Sequence, residues 1–204
     1  MTFYIWLSLL AICILGAMTP GPSLAVVLKH CVNNGRSHAL ITSWCHAIGV
    51  GIWAFATVFG LGVLVAQSAF AFELITWLGA AYLLWLGIGA LRAGRAGDGL
   101  KIANSASQSL TQAGIDGAMI SLLNPKLAIF FIALFSQFVS ADASSTDQLI
   151  MVLTAVITDG LWYSLVTFIL VKGSVLAWLQ RQSHWVNRIT GGIFIALAVR
   201  VVAL

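Results

Sequence analysis

Charged side chains are scarce in this sequence. Of 204 residues, 10 are Lys or Arg and 6 are Asp or Glu, so that 8% are charged, against about 25% in an ordinary soluble domain. So few charges cannot cover the surface of a water-soluble protein of this size. A chain that crosses a membrane several times presents an apolar surface to lipid and needs charge only in loops and polar sites. The composition, 60% hydrophobic, therefore predicts an all-α integral membrane protein.

Cysteine is also infrequent. Cys13, Cys31 and Cys45 lie far apart and form no CxxC pair, which excludes a disulfide framework of the usual kind. His46 follows Cys45 directly, but adjacent residues on a helix point about 100° apart and do not easily share a ligand face. We therefore expect His46 and the cysteines to pack against other helices, and we expect neither a metal site nor a cofactor.

Long apolar runs separate the few charges. A helix needs about 20 residues to cross a hydrocarbon core of about 30 Å. The first run has no basic segment before it and exceeds the length of a signal peptide, so we interpret it as a membrane helix. We predict one membrane-embedded domain, residues 1–204, with six spans at about residues 3–28, 39–66, 74–91, 114–139, 148–171 and 185–202.

The loops between these spans alternate in charge. Lys and Arg near span ends stay preferentially on the cytoplasmic side. Two connections contain only the acidic residues Glu73, Asp142 and Asp147, so we expect both termini to face outward. Since cytoplasmic loops account for the net charge of +4, that charge indicates no nucleic-acid partner. The basic connections contain Lys29 and Arg36, then Arg92, Arg95 and Lys101, then Lys172, Arg181 and Arg188.

All three prolines fall inside predicted spans. A proline within a helix removes a backbone hydrogen bond and clashes with the preceding turn, so the first and fourth spans should break. Thr or Asn before Pro resembles an N-cap, which predicts that new half-helices start at Pro20 and Pro125. At about 1.5 Å per residue both breaks are about 13–17 Å deep, near the membrane midplane. The two motifs are Thr19-Pro20-Gly21-Pro22 and Asn124-Pro125-Lys126.

The two breaks occupy equivalent places in two halves of the chain. Each half contains three predicted spans, so any structural repeat must be inverted across the membrane, as in many transporters. The two half-helix N-termini would then meet at the membrane centre from opposite sides. Amides at a helix N-terminus bind anions such as carboxylates, which predicts a binding site, with two packing kinks as the alternative.

Two charged residues lie at the same depth as the breaks. Lys126 follows Pro125, and Asp159 is about 16 Å into the fifth span. A lone charge there costs roughly 2.5–3.5 kcal/mol and indicates a functional site, although a purely structural Lys126–Asp159 ion pair is the alternative. We predict that Asp159 receives a substrate ammonium or a proton. The predicted substrate-carboxylate site comprises Thr19, Pro20, Gly21, Pro22, Ser23, Asn124, Pro125 and Lys126.

Three motifs follow one another along the chain. They are the Thr19–Pro22 break, Gly79–Gly87 with Leu91-Arg92 shortly after it, and Leu123–Lys126 followed by Phe130-Phe131 and Gln137-Phe138-Val139. In order and spacing they resemble the LysE/RhtB family of amino-acid exporters over nearly the whole chain. The resemblance implies export of amino acids from the bacterial cytoplasm across the inner membrane, in exchange for protons.

The resemblance also bears on the site and on the substrate. The two breaks match those of the family, and Asp159 falls where members often have an acidic residue. Val50–Ala54 together with Ser136–Val139 is similar to the threonine and homoserine efflux branch. Ser23 stands where many members have Asn or Asp, which affects the predicted substrate more than the predicted fold.

Two other classes of function stay open at this point. A cation or metal exporter would need several carboxylate, His or Cys side chains at the midplane, where only Asp159 is clearly placed. An intramembrane enzyme could use Ser121 and Lys126 as a nucleophile–base pair, but an offset of five residues puts them about 140° apart on a helix.

For some other residues we expect a role in packing or at the membrane interface. His30, His38 and His184 fall near span ends, where we expect solvated side chains, and Trp53 and Trp162 are expected to pack. Pairs of small residues four apart allow close helix approach, either within the chain or in a homodimer. These pairs are Ala47 with Gly51 and Gly192 with Ala196.

Overall fold

The computed structural model describes residues 1–19, 21–92, 108–140, 143–170 and 174–203, and within them every regular element is a helix. This confirms the all-α class. The helices are α1 (Phe3–Met18), α2 (Pro22–Asn34), α3 (Arg36–Gln67), α4 (Ala69–Arg92), α5 (Leu110–Leu122), α6 (Pro125–Phe135), α7 (Ser145–Leu170) and α8 (Ser174–Ala203).

Most of the predicted spans correspond to these helices. Three helices are individually long and apolar enough to cross a membrane, over Arg36–Leu64 in α3, Ala69–Arg92 in α4 and Ser145–Ile169 in α7. The pairs α1–α2 and α5–α6 meet the same test as bent units, which gives up to five spans in the described residues by length and composition. The sixth predicted span falls within α8, which is not among them, so the six-span topology stays a prediction.

The break between α5 and α6 has the predicted form. The two helices bend by 54°, Asn124 is the N-cap of α6 and Pro125 is its first residue. The Asn124 side chain accepts a hydrogen bond from the Lys126 amide at 3.1 Å. Asn followed by Pro therefore restarts a helix here, as the sequence predicts.

The break between α1 and α2, bent by 60°, differs from the prediction. Thr19 ends α1 instead of capping α2, because its amide and its hydroxyl both donate to the Leu15 carbonyl, at 3.1 and 2.8 Å. The new helix starts at Pro22 after an extended Gly21, so the predicted start at Pro20 is wrong by two residues. Pro20 itself lies outside the described residues.

Helix α3 is the centre of the bundle. It packs against α2, α5, α6 and α7, while α4 packs against α6 and α8. The α3–α5 contact depends on small residues: a Cβ on Gly49 would lie 1.9 Å from the Ser121 hydroxyl, and a Cβ on Gly117 would lie 2.3 Å from the Thr42 carbonyl. Only glycine allows the two backbones to approach this closely.

The predicted pairs of small residues serve packing to different degrees. Ala47 is fully buried, and Gly51 faces Val156 of α7. Gly192 has no atom near its Cβ position, whereas Gly191 approaches the Gly87 carbonyl on α4. The close contact of α8 therefore uses the neighbouring glycine. Ala47 and Gly51 pack inside the chain.

Large apolar side chains cover much of the outside of the bundle. Their exposure to water would be costly, but lipid is an equally apolar environment and removes that cost. The chain is accordingly a multi-pass membrane protein. Examples with exposed rings or branched side chains are Ile48, Ile52 and Phe55 on α3, Trp77 and Trp85 on α4, and Leu161, Leu165 and Phe168 on α7.

Candidate functional site

A partly enclosed cavity lies where the two broken spans meet. Residues from both breaks line it, together with side chains of α1, α3, α4, α7 and α8. The structure thus brings together the two half-helix starts, Lys126 and Asp159, which are distant in sequence. The polar side chains on the cavity wall belong to Thr19, Ser23, His46, Asn124, Lys126, Asp159 and Tyr163.

The start of α2 forms one side of the cavity. Gly21, Pro22 and Ser23 line it, and no side chain caps this helix. The first-turn amides that follow Pro22 therefore lack the side-chain acceptor that commonly satisfies them. Together with the positive end of the helix dipole, they can bind a negatively charged group in the cavity.

The start of α6 forms another side. Asn124 and Lys126 line the cavity, whereas Pro125 does not. Asn124 already caps its own helix, so this helix end has one amide fewer to offer than α2. The Lys126 side chain is exposed at the cavity and brings a full positive charge to the same place.

Asp159 on α7 pairs with His46 on α3. The distance from His46 Nδ1 to Asp159 Oδ2 is 2.7 Å, and the two residues are 1% and 7% exposed. The Tyr163 ring meets the imidazole edge-on, with centroids 5.2 Å apart. Asp159 is thus paired with His46, and the described part of the chain shows no ion pair between Lys126 and Asp159.

His46 is the residue of this site that the sequence analysis misjudged. The prediction that it only packs is wrong, because it lines the cavity and bonds to Asp159. A signal was available in the sequence: His46 is the only ionisable side chain apart from Cys45 in the predicted span at residues 39–66. An ionisable residue at that depth is a candidate for function on the same grounds as Asp159.

The remaining wall of the cavity is apolar. Val50, Leu86, Phe130, Phe131 and Phe194 contribute side chains from four helices. The cavity therefore combines a positively charged side at the helix breaks, a buried His–Asp pair and an apolar surface. Such a site fits a small molecule that carries opposite charges near one end and an uncharged remainder.

Several other predictions about single residues can be compared with the structure. His30 is buried rather than solvated, with its Nε2 3.0 Å from Asp116 Oδ2. Ser121 donates to the carbonyl of Ala118 at 2.8 Å, so its hydroxyl is engaged within its own helix instead of with Lys126. Trp53 and Trp162 do not line the cavity. No group of three or more His, Cys, Asp or Glu that could hold a metal ion occurs in the described parts of the chain.

The fold is that of a multi-pass membrane protein with a partly enclosed cavity where two broken spans meet. The model of the LysE type translocator family matches residues 14–204, and the chain belongs to this family.

Related proteins can be aligned with most of the chain. It is 31% identical over 198 residues to a homoserine/homoserine lactone efflux protein of Salmonella typhimurium, covering 95% of this chain and 94% of the relative. It is 24% identical over 201 residues to a threonine efflux protein of Escherichia coli, covering 97% of each. An uncharacterized membrane protein of Vibrio cholerae is 36% identical over 172 residues, 79% of this chain and 78% of the relative. No solved structure matches the chain.

Proposed function

We propose that this protein exports a small amino acid with an uncharged side chain, such as threonine or homoserine, from the bacterial cytoplasm by proton antiport. The observation that carries the proposal is the meeting of two helix starts, Lys126 and the His46–Asp159 pair in one cavity. Membership of the LysE type translocator family and the names of the two efflux relatives support the same class of substrate.

The substrate carboxylate is held at the positive side of the cavity. The uncapped first turn of α2 offers backbone amides, and Lys126 offers an ammonium from α6. Charge-assisted hydrogen bonds of this kind are about twice as strong as neutral ones. They are also expected to discriminate against amines that lack a carboxylate, because Lys126 would then face no counter-charge.

The substrate ammonium, or a proton, occupies the side of the cavity opposite the helix starts. Asp159 is the only acidic residue that lines the cavity in the described part of the chain. A carboxylate there attracts either cation, and alternate occupation by one and the other couples export to proton entry. Asp159 is therefore the proposed proton-coupling residue.

The apolar wall supports an uncharged substrate side chain. Phe130, Phe131 and Phe194 present rings to the cavity, and a charged side chain among them would lose its hydration without compensation. Ser23, in the position where many family members have Asn or Asp, keeps a hydroxyl that can bond to a polar side chain. These features favour a small neutral or polar amino acid over a basic one.

The proposed cycle is alternating access between two inverted halves of one domain, residues 1–204, with six spans and both termini outside the inner membrane. The pattern of helix contacts supports such a repeat. Helices α3 and α7 pack on each other, as do α4 and α8. In such a repeat α1 and α2 correspond to α5 and α6, and α3 corresponds to α7. Accordingly, α1 packs against α7 as α5 packs against α3, and α2 packs against α7 as α6 packs against α3.

Exchange measurements on Lys126 variants test the proposal. In proteoliposomes, we expect Lys126→Gln to weaken the apparent affinity for threonine or homoserine by about 10- to 100-fold, which corresponds to the loss of one charged hydrogen bond. Arg36→Gln is the matched control, because it removes one positive charge from an exposed position at the start of α3. Equal affinities in the two variants would remove Lys126 from the substrate site.

A further inference from the structure

The His46 side chain has one nitrogen whose role the proposed function leaves open. His46 Nε2 is buried and has no hydrogen-bond partner among the described residues, although the residue lines the cavity. A buried polar atom without a hydrogen-bond partner destabilises the protein. Because His46 lines the cavity, this unpaired nitrogen indicates that a bound ligand forms the missing hydrogen bond.

The contact with Asp159 determines what that ligand must be. When Asp159 is ionised it only accepts hydrogen bonds, so that in this state Nδ1 donates its hydrogen to Oδ2 across the 2.7 Å contact. In a neutral imidazole the other nitrogen then carries a lone pair and no hydrogen. Nε2 is therefore an acceptor, and only a proton or a hydrogen-bond donor can fill the place next to it.

We propose that His46 Nε2 is the atom at which proton and substrate ammonium compete, with Asp159 as the positioning counter-charge. This inference rests on the proposed function and refines it, because it moves the transported proton from the carboxylate to the imidazole. A proton arriving from outside binds Nε2 and gives an imidazolium beside the Asp159 carboxylate. The lone pair is then absent, so an ammonium cannot bind until the proton leaves to the cytoplasm.

Mutual exclusion at a single atom is what antiport requires. If proton and substrate could bind together, the protein would move both in the same direction or leak one of them. The positive charge beside Asp159 is present in both loaded states, as an imidazolium in one and as a substrate ammonium in the other. The buried carboxylate is therefore compensated in each half of the cycle.

The other groups around His46 have different roles. Asp116, on α5, is already paired with His30 and Lys29, and α4 and α8 present Leu86 and Phe194 to the cavity. The titratable, charged or hydroxyl-bearing groups that face the cavity alongside the pair are Cys13 from α1, Ser23 from α2, Lys126 from α6 and Tyr163 from α7.

The variant His46→Asn tests the inference. An Asn amide nitrogen takes the place of Nδ1 and can still donate to Asp159, but nothing replaces Nε2. In wild-type proteoliposomes without a gradient, the apparent affinity for the exchanged amino acid should fall by up to about tenfold per pH unit on acidification, because protonation removes the competent state. In His46→Asn this dependence should disappear. His38→Asn, away from the cavity, should keep it.

Nitrogen-15 NMR of histidine-labelled protein in detergent gives a reading that does not depend on transport. Of the four histidines, the His46 signal is the one lost in His46→Asn. It should show the Nδ1–H form with a free Nε2 at high pH and a doubly protonated ring at low pH. A constant protonation state, or the opposite tautomer, would overturn the inference.

The two experiments separate the inference from the proposed function. Exchange that retains its pH dependence in His46→Asn contradicts the role of His46 and leaves amino-acid export intact. If no amino acid exchanges at all, export itself is wrong, and the NMR titration still decides whether His46 Nε2 binds a proton. If His46→Asn does not fold, Asp159→Asn provides the second test: it should shift the His46 titration to lower pH, since the counter-charge is gone, and an unchanged titration would contradict the pairing.

Discussion

The buried imidazole of His30 joins two helices at the end of the bundle opposite the α1 N-terminus. Its Nε2 lies 3.0 Å from Asp116 Oδ2, and its Nδ1 lies 3.2 Å from the Asn34 side-chain amide. Lys29 is 3.5 Å from the same Asp116 oxygen, and Gln112 donates to the other at 2.6 Å. One carboxylate on α5 therefore holds three side chains, two of them from α2.

Replacing Asp116 by Ala should destabilise the protein. The variant leaves the buried His30 Nε2–H without an acceptor, which costs about 1–3 kcal/mol. At about 2–4 °C per kcal/mol for a chain of this length, the Tm in detergent should fall by several degrees. Glu73→Ala removes an acid from an exposed position on α4 and should leave the Tm nearly unchanged. Equal Tm values would contradict a structural role for this network.

At the scale of single residues, the sequence indicated where charge lies but not which groups pair. Lys126 and Asp159 could be placed near the midplane because lone charges stand out in apolar runs. The partner of Asp159 could not be identified from the sequence, since His46 is 113 residues away and the contact depends on how α3 and α7 pack. The same reason applies to His30 and Asp116, which are 86 residues apart.

At the scale of helices, the close packing of α5 on α3 is the most specific contact. A Cβ on Gly117 would lie 2.3 Å from the Thr42 carbonyl oxygen, which belongs to the backbone and cannot move aside. Gly114, one turn away, faces Cys45 and Ile41. The two glycines set the distance between α3, which bears His46, and α5, which leads to the second break.

Gly117→Ala should therefore weaken the bundle. The added methyl group forces the helices apart, and overpacking of this kind costs about 1–3 kcal/mol. Gly89→Ala on α4 is the matched control, because nothing lies within 4 Å of its Cβ position. The control should be neutral or slightly stabilising, since Ala favours helix over Gly. Thermal unfolding in detergent measures both, and a lower Tm for Gly89→Ala than for Gly117→Ala would contradict the packing argument.

The helix breaks were predictable because proline acts locally. The Asn124-Pro125 start of α6 follows from capping preferences alone. The start of α2 did not follow from them, because Thr19 has two possible roles and bonds backward to Leu15 instead of forward. Its use as a C-cap leaves α2 without a side-chain cap, and this difference between the two helix starts was not visible in the sequence.

At the scale of the whole molecule, scarcity of charge was sufficient to indicate a helical membrane protein. The meeting of both breaks in one cavity is a tertiary property that the sequence could only suggest through matched depths. The six spans and the outward termini stay predictions, as does the inverted repeat, which the pairing of α3 with α7 and of α4 with α8 supports.

Counterflow in proteoliposomes measures directly whether the protein transports amino acids. Purified protein is reconstituted, the vesicles are loaded with one unlabelled amino acid, and uptake of the same labelled amino acid is measured across a full panel. We expect transient accumulation of small amino acids with uncharged side chains, threonine or homoserine among them, and none of amines that lack a carboxylate. If no amino acid in the panel exchanges, the cavity between the two broken spans is not an amino-acid site and the proposed function is wrong.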